Sequence, residues 1–345
     1  MKRIGFLSFG HWRAAPGSQT RTASDALLQT IELAQAAEDL GIDGAFVRVH
    51  HFERQLASPL PLLAAIGART SRIEIGTAVI DMRYENPLYL AEEAAAADLI
   101  SGGRLQLGVS RGSPETVLRG AESFGYRPAE GESDADAARR KTEIFLAAAG
   151  GAVVARTDPA RTGVSGGLAI QPQSPGLADR IWWGSGTRAT AQWAARAGMN
   201  LQSSTLLSED TGVPFDQLQA EQIRLYREAW AERGWTREPR VSVSRSVLPI
   251  TEDIDRMYFG DQAHEDQIGL LEGVRSRFGR TYVGEPDAVA AELAADEAVR
   301  EADTVLFTVP NQLGVAYNAR ILATIAGHIA PAIGWTPGAV AGRLT

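Results

Sequence analysis

The stretch IEIGTAVIDMRYENPLYLAEEAAAADLISGGRLQLGVSRG (residues 73–112) contains one strand–helix–strand unit. Its two apolar runs, Ile73–Ile80 and Arg104–Ser110, are nearly continuous, which is typical of parallel strands that are buried on both faces. Between them, Asn86 can cap a helix over Pro87–Leu99, and this helix begins with a proline, as helices often do. The stretch therefore predicts one complete β/α unit and the strand that follows it.

The same unit recurs along the chain. Thr187 and the pairs Ser58-Pro59 and Glu285-Pro286 are further helix-start signals between the apolar runs. Because eight β/α units close a barrel, the sequence predicts an α/β fold, a single (β/α)8 TIM barrel over residues 1–345. The eight runs that predict its strands are Ile4–Phe9, Ile42–Val49, Ile73–Ile80, Arg104–Ser110, Ile181–Gly184, Met199–Ser203, Arg240–Leu248 and Asp303–Val309.

Two long segments interrupt this regular spacing. We expect insertions at about residues 113–180, after the fourth strand, and at about 251–280, after the seventh. Neither segment contains enough apolar sequence for a core of its own, so we expect one domain. The alternative is a doubly wound sheet, which usually has a glycine-rich GxGxxG turn after its first strand; Gly10-His11-Trp12-Arg13 lacks that motif.

The composition excludes several functional classes. The 345 residues include 34 Lys and Arg against 42 Asp and Glu, a net charge of −8, which argues against nucleic acid or an anionic membrane as a partner. The chain has no cysteine, so disulfides, thiolate nucleophiles and cysteine-ligated metals are excluded. No apolar run approaches the roughly 18 residues of a membrane helix, and no signal peptide is evident, so we expect a cytoplasmic protein.

The residues that follow the predicted strands are the candidates for chemistry, because barrel active sites lie at the carboxyl ends of the strands. His50 and His51 are adjacent, so their side chains point to opposite faces of an extended strand, and we expect no metal site. One imidazole should face the barrel mouth, where it can take or donate a proton. The helix start at Thr187 and the Arg111 guanidinium can bind an anion, although Thr187 could merely cap and Arg111 could form a surface salt bridge.

Several motifs follow one another in a familiar order. They are Gly41–Gly44, Val49–Phe52, Ile75–Val79, Asn86-Pro87, Ser101–Leu105, Gly108–Gly112, Gly186-Thr187, Thr190–Ala195 and Gly284–Pro286. Together they resemble the bacterial luciferase-like, flavin-dependent monooxygenases, in good register as far as about Gly198.

The resemblance implies a barrel that binds FMN. His50 falls on the family's catalytic histidine, and Arg111 falls on an arginine that contacts the flavin phosphate. Ala78–Val79 falls on a non-prolyl cis peptide beneath the flavin ring. The residues implied to bind the cofactor are Ala78, Val79, Ser110, Arg111, Ser185, Gly186, Thr187 and Thr190.

Two departures from luciferase bear on the reaction. Val49 replaces an acidic residue before the paired histidines, and Ser110 replaces a reactive cysteine, so light emission is not implied. Arg245 and Ser203 are candidates for contacting substrate or flavin, although an internal ion pair is the alternative for Arg245.

We therefore expect a non-luminescent monooxygenase that uses reduced FMN (FMNH2) and O2 to oxidise a small organic substrate. A separate flavin reductase can supply the reduced flavin, so that NAD(P)H acts only indirectly. The alternatives are an F420-dependent dehydrogenase or reductase of the same superfamily and a catalytically silent flavin-binding protein; the presence of His50 and Arg111 argues against the silent protein. Because members of the family dimerise through the helices equivalent to Pro59–Arg69 and Pro87–Leu99, we also expect a homodimer.

Overall fold

Eight parallel strands pair with their neighbours and close into a barrel in the computed structural model, which describes residues 2–112, 117–209, 211–260, 265–271 and 274–337. Each strand pairs with the next in chain order, and β8 pairs with both β7 and β1. The predicted barrel is confirmed, and most bounds move by only one or two residues. The strands are β1 (Arg3–Ser8), β2 (Gly44–Val47), β3 (Glu74–Asp81), β4 (Leu105–Ser110), β5 (Ile181–Ser185), β6 (Asn200–Ser203), β7 (Val241–Pro249) and β8 (Thr304–Thr308).

A main helix follows every barrel strand. Asn86 accepts the N–H groups of Leu88 and Tyr89, which confirms its capping role. Ser58 also precedes its helix, but its side chain makes no capping bond; the third helical residue, Pro61, has no N–H to donate. The helices are α1 (Ala23–Asp39), α2 (Pro59–Arg69), α3 (Pro87–Ile100), α4 (Asp134–Ala149), α5 (Arg188–Arg196), α6 (Phe215–Arg233), α7 (Pro286–Ala295) and α8 (Gly314–Thr324).

The two long connections carry their own small elements. The connection after β4 contains α4 and a short hairpin, Ala155–Arg156 with Gly167–Leu168. The connection after β7 contains a helix and a hairpin whose second strand pairs with Leu206–Leu207. The expected insertions include residues 113–116, 261–264 and 272–273, which lie outside the described residues, so their extent and the single-domain assignment stay predictions. Elements of these connections are Gly120–Ser123, Pro159–Thr162, Leu177–Arg180, Asp253–Phe259, Gln267–Leu271, Val274–Phe278 and Thr281–Gly284.

The amino end of the barrel is closed by polar side chains that cross the interior. Arg240, at the start of β7, donates to both carboxylate oxygens of Glu74 on β3 (2.9 and 3.0 Å). Since β3 and β7 are not neighbours, this ion pair spans the barrel. Above it, the indole of Trp182 donates to Gln106 (2.9 Å). The interior is therefore accessible from the carboxyl end.

Helix α3 exposes several large apolar side chains to solvent. Tyr89, Leu99 and Ile100 are 67, 49 and 55% exposed. They lie on one of the two helices through which we expect the homodimer to form, and the homodimer itself stays a prediction. No helix in the described part of the chain combines the length and apolar character needed to cross a bilayer.

Arg245 does not reach the barrel mouth, which corrects its candidacy for contacting substrate or flavin. It is 3% exposed and forms a two-pronged ion pair with Asp296 (2.7 and 3.0 Å). Asp296 also accepts the hydroxyl of Tyr282 and the N–H of Val299. The alternative interpretation, an internal ion pair, is the one that the structure supports, because a guanidinium this deeply buried needs a counter-charge.

We predict that Asp296→Ala lowers the free energy of unfolding by about 3–5 kcal/mol, since it leaves Arg245 buried without its partner. Urea denaturation measures the change. The matched control is Asp253→Ala, which removes the fully exposed partner of Arg256 and should leave the free energy of unfolding nearly unchanged. Equal stability of the two variants would contradict the structural role of the buried pair.

Candidate active site

A cavity of about 360 Å³ opens at the carboxyl end of the barrel. Residues that end or directly follow β2 to β6 form much of its wall, because parallel strands bring their carboxyl ends to one rim. Polar and charged groups share this wall with an apolar part. The apolar side chains include Leu7, Val49, Val79, Trp183 and Leu206.

Most of the candidate residues meet in this cavity. Ser185 is buried beside it and holds the hydroxyl groups that line it, and Arg245 lies elsewhere, as described above. Ser203 lines the cavity, but its hydroxyl donates to Gln222 of α6 (2.6 Å), so its hydrogen is already engaged. The candidates that line the cavity are His50, Ala78, Val79, Ser110, Arg111, Gly186, Thr187, Thr190 and Ser203.

One side of the cavity is shaped by an irregularity in β3. The Ala78–Val79 peptide bond is cis, as the resemblance implies, and the pairing of β3 with β4 shifts register at this point. Gly184 on β5 faces the same place: a Cβ there would lie 2.9 Å from Val79 Cγ1 and 3.3 Å from Ser110 Cβ. A side chain at position 184 would therefore press against Val79 and Ser110, and glycine leaves that space open.

The start of α5 presents a cluster of hydroxyl groups to the cavity. Thr187 caps the helix by accepting the N–H of Thr190 (3.2 Å), and their hydroxyl oxygens lie 2.9 Å apart. Ser185 Oγ lies 2.5 Å from Thr190 Oγ1 and bonds the Thr187 carbonyl. The N–H of Ala189 has no acceptor within the described ranges. Hydroxyls and an N–H at a helix start are suitable ligands for an anion.

Two arginines, Arg111 and Arg139, line the same cavity as this helix start. Arg111 is exposed, and no carboxylate among the described residues lies within ion-pair distance of it. Arg139 of α4 also lines the cavity, with Asp136 3.5 Å away. A second carboxylate limits the site: Glu209 accepts the backbone N–H of Arg188 (3.1 Å). The hydroxyls, the N–H of Ala189 and the Arg111 guanidinium are therefore the groups available to an anion at this helix.

His50 lies at the β2 side of the cavity, away from α5. Arg48 Nε donates to His50 Nε2 (2.8 Å), so this nitrogen is an acceptor and the proton of the neutral ring is on Nδ1. Burial, and then the adjacent Arg48 charge, lowers the pKa of His50 from 6.5 to about 4. His50 is therefore a neutral imidazole at physiological pH.

His51 has different surroundings. Its ring stacks on Tyr84, with centroids 4.2 Å apart, and meets the edge of Phe124 at 5.1 Å. His50 and His51 therefore contact different neighbours: His50 bonds Arg48, and His51 packs against aromatic rings. Within the described ranges no group of three or more His, Asp or Glu side chains could hold a metal ion.

The sequence interpretation missed Arg48, Arg139 and Gln202, which also line the cavity. Arg48 had a readable signal, since it is a charged residue in the otherwise apolar run Ala45–Val49 at the end of a barrel strand. Arg139 had none, because it lies on α4, far along the chain from any strand end.

Comparison with known proteins identifies the family. The sequence profile described as "Luciferase-like monooxygenase" matches residues 1–302. The chain belongs to this family. Family membership supports an oxidoreductase, and relatives include both flavin-dependent and F420-dependent enzymes. The aligned stretches cover 30, 56 and 24% of the length of three curated relatives, so the activity of a whole relative does not transfer directly.

Individual relatives show how varied the family is. The oxygenase component of flavin-dependent trigonelline monooxygenase from Acinetobacter baylyi is 33% identical over 31% of this chain and 30% of its own. The F420-dependent glucose-6-phosphate dehydrogenase of Kribbella flavida is 35% identical over 27% of this chain and 30% of its own. The oxygenating constituent of 3,6-diketocamphane monooxygenase from Pseudomonas putida, solved with FMN, superposes with a TM-score of 0.67 at 18% identity, covering 96% of this chain and 99% of its own.

We predict that the His50 imidazole titrates near pH 4 in the folded protein. Arg48→Met should raise this pKa toward 6.5, because it removes the neighbouring positive charge. NMR of ring-labelled histidine measures both values, and His50→Gln identifies the signal.

The same shift gives the sign of a stability effect. The unfolded chain binds this proton near pH 6.5 and the folded chain near 4, so the contribution of neutral His50 to stability is present above pH 6.5 and is lost as the pH falls toward 4. A wild-type His50 signal that titrates near pH 6.5 would contradict the buried, cation-adjacent environment.

Proposed function

We propose that this protein is an FMN-dependent monooxygenase that uses reduced FMN and O2 to oxidise a small organic substrate without emitting light. The observation that supports the proposal is the division of one cavity into an anion-binding side, at α5 and Arg111, and a side with the neutral imidazole of His50. A nucleotide with a phosphate at one end and a redox-active ring at the other matches this division.

The residues present fit FMN. The phosphate would be held by Arg111, by the hydroxyls of Thr187 and Thr190 and by the N–H of Ala189. The deeper wall suits a flat ring, since it is apolar and also offers two buried polar atoms, Trp183 Nε1 and Gln202 Oε1, that have no hydrogen-bond partner in the part of the chain that the structure describes. A flavin ring has both hydrogen-bond donors and acceptors on its edge.

The chain's own residues would bind and orient the cofactor, and His50 would donate a hydrogen bond. When bound, reduced FMN supplies the electrons that activate O2. His50, protonated on Nδ1 and bonded through Nε2 to Arg48, can donate a hydrogen bond from Nδ1 to an oxygen atom in the cavity. A pKa of about 4 makes this ring a weak base at neutral pH, so donating fits it better than abstracting a proton.

A separate reductase would supply the reduced flavin. This part of the proposal is supported by the trigonelline relative, whose name describes it as an oxygenase component. The second candidate function is an F420-dependent dehydrogenase or reductase, supported by the glucose-6-phosphate dehydrogenase of Kribbella flavida. F420 also carries a phosphate group, so the anion-binding start of α5 suits both cofactors. FMN is the first candidate because the trigonelline relative is a flavin-dependent monooxygenase and the diketocamphane monooxygenase constituent was solved with FMN.

We predict that the protein binds FMN more tightly than riboflavin or F420. Arg111→Met should weaken FMN binding by about 1.5–3 kcal/mol, the contribution of a hydrogen bond to a charged group, and should leave riboflavin binding unchanged. Fluorescence titration measures all three affinities.

The matched control is Arg161→Met, which removes a side chain that is 89% exposed and outside the cavity and should change none of them. Preference for F420 over FMN would support the second candidate. An equal loss of FMN and riboflavin affinity would contradict the phosphate role of Arg111.

We also predict that His50→Gln keeps FMN affinity within about twofold but lowers turnover with reduced FMN and O2 by about 10²-fold or more, the usual contribution of a positioned proton donor. Stopped-flow absorbance of the oxidised flavin measures the rate. A rate equal to that of the wild type would refute the catalytic role of His50.

A further inference from the structure

Arg48 is a cation in the cavity, and no residue in the described ranges supplies a counter-charge to it. It is only partly exposed, and its carbon Cζ lies 5.0 Å from the centre of the Phe9 ring. Its Nε donates to His50, whereas Nη1 and Nη2 donate to no acceptor among the described residues. No carboxylate in those ranges forms an ion pair with it, in contrast to Arg83 and Arg245, which pair with Asp81 and Asp296.

An anionic ligand would complete this arrangement. Burial lowers the pKa of Arg48, and no neighbouring carboxylate opposes that effect. A buried charge ordinarily requires a partner of opposite sign. The side chain keeps its guanidinium toward the cavity because Phe9 supports its plane and His50 fixes Nε. The edge formed by Nη1 and Nη2 is therefore presented in a fixed orientation.

The charge balance of the described cavity residues also favours an anionic ligand at Arg48. Among the residues that the structure describes, the lining of the cavity contains three arginines, Arg48, Arg111 and Arg139, and one aspartate, Asp81. Asp81 is already bonded through both oxygens to Arg83. A phosphate held at α5 and Arg111 would be balanced at that side and would leave Arg48 uncompensated on the β2 side. This positive excess occurs in a chain whose net charge is −8, so it is a local feature of the site.

We propose that Arg48 binds the carboxylate of the substrate, so that the substrate class is small organic acids. The proposal rests on the proposed function for the rest of the cavity. Two parallel N–H groups of a guanidinium match the two oxygens of a carboxylate. A carboxylate on Arg48 lies beside His50, which places the remainder of the acid against the apolar wall. Arg48 is then a specificity-determining residue, and neutral analogues of the same acid lose this contact.

The experiment compares matched acids and amides on the FMN-loaded protein. The probes are benzoate with benzamide, phenylacetate with phenylacetamide and octanoate with octanamide, and binding is followed by the change in flavin absorbance. We expect at least one acid to bind ten or more times more tightly than its amide, as a hydrogen bond to a charged group requires. Arg48→Met should reduce that ratio to within about twofold, and Arg48→Lys should retain part of it.

Two controls separate Arg48 from the rest of the cavity. Arg139→Met removes another cavity arginine and should keep the acid-to-amide ratio. FMN affinity of Arg48→Met should stay within about threefold of wild type; a larger loss would assign Arg48 to the flavin and overturn the proposal. Equal binding of every acid and amide, or an acid preference that survives in Arg48→Met, would also overturn it.

The test remains decisive if the proposed function fails. Should the wild-type protein not bind FMN, the same acids and amides are titrated calorimetrically into the cofactor-free protein. Acid preference that depends on Arg48 would then support the carboxylate site while the FMN assignment falls. Absence of any acid binding in both forms would refute it.

Discussion

The closure of eight parallel strands is the constraint on which the site depends. All carboxyl ends meet at one rim, so residues separated by more than a hundred positions in sequence line one cavity. The ion pair between Arg240 and Glu74 closes the amino end of the barrel, and the two long connections extend from the carboxyl end. Access from one side follows from these two facts together. A ligand long enough to span this cavity would contact the ends of β2 and β5 at the same time.

The hydrogen bond between Arg48 and His50 determines the electrostatics of the β2 side. Burial is the larger cause of the low pKa of His50; the cation beside the ring also opposes its protonation, and the hydrogen bond fixes the remaining proton on Nδ1. It also holds the guanidinium, which leaves its outer edge available. The Arg48–His50 hydrogen bond thus places a hydrogen-bond donor, His50 Nδ1, next to an anion-binding group, the guanidinium of Arg48.

The sequence was informative where backbone geometry follows from local pattern. Eight apolar runs predicted the eight barrel strands, and Asn86 and Thr187 predicted helix starts that the structure confirms, because caps depend on a few adjacent residues. Ser58 failed as a cap for an equally local reason, the missing N–H of Pro61. Side-chain partners were less accessible. That Arg245 faces Asp296 and not the cavity depends on the direction of one side chain from β7 and on a loop fifty residues later, which no pattern in the sequence reports.

The same argument explains why the proposed phosphate side of the cavity was easier to predict than the proposed substrate side. The anion-binding helix start is formed by consecutive residues, Thr187 to Thr190. Any helix that is capped at a barrel rim presents N–H groups and a partial positive charge there. The β2 side is defined by Arg48, which has no carboxylate partner in the described ranges. Arg48 is informative only once the structure shows that no carboxylate in the described ranges approaches it, whereas Arg83 and Arg245 are neutralised by their neighbours. If the proposed roles hold, the cofactor is bound by local motifs and the substrate by a group that has no partner among the described residues, and such a group is recognised only in three dimensions.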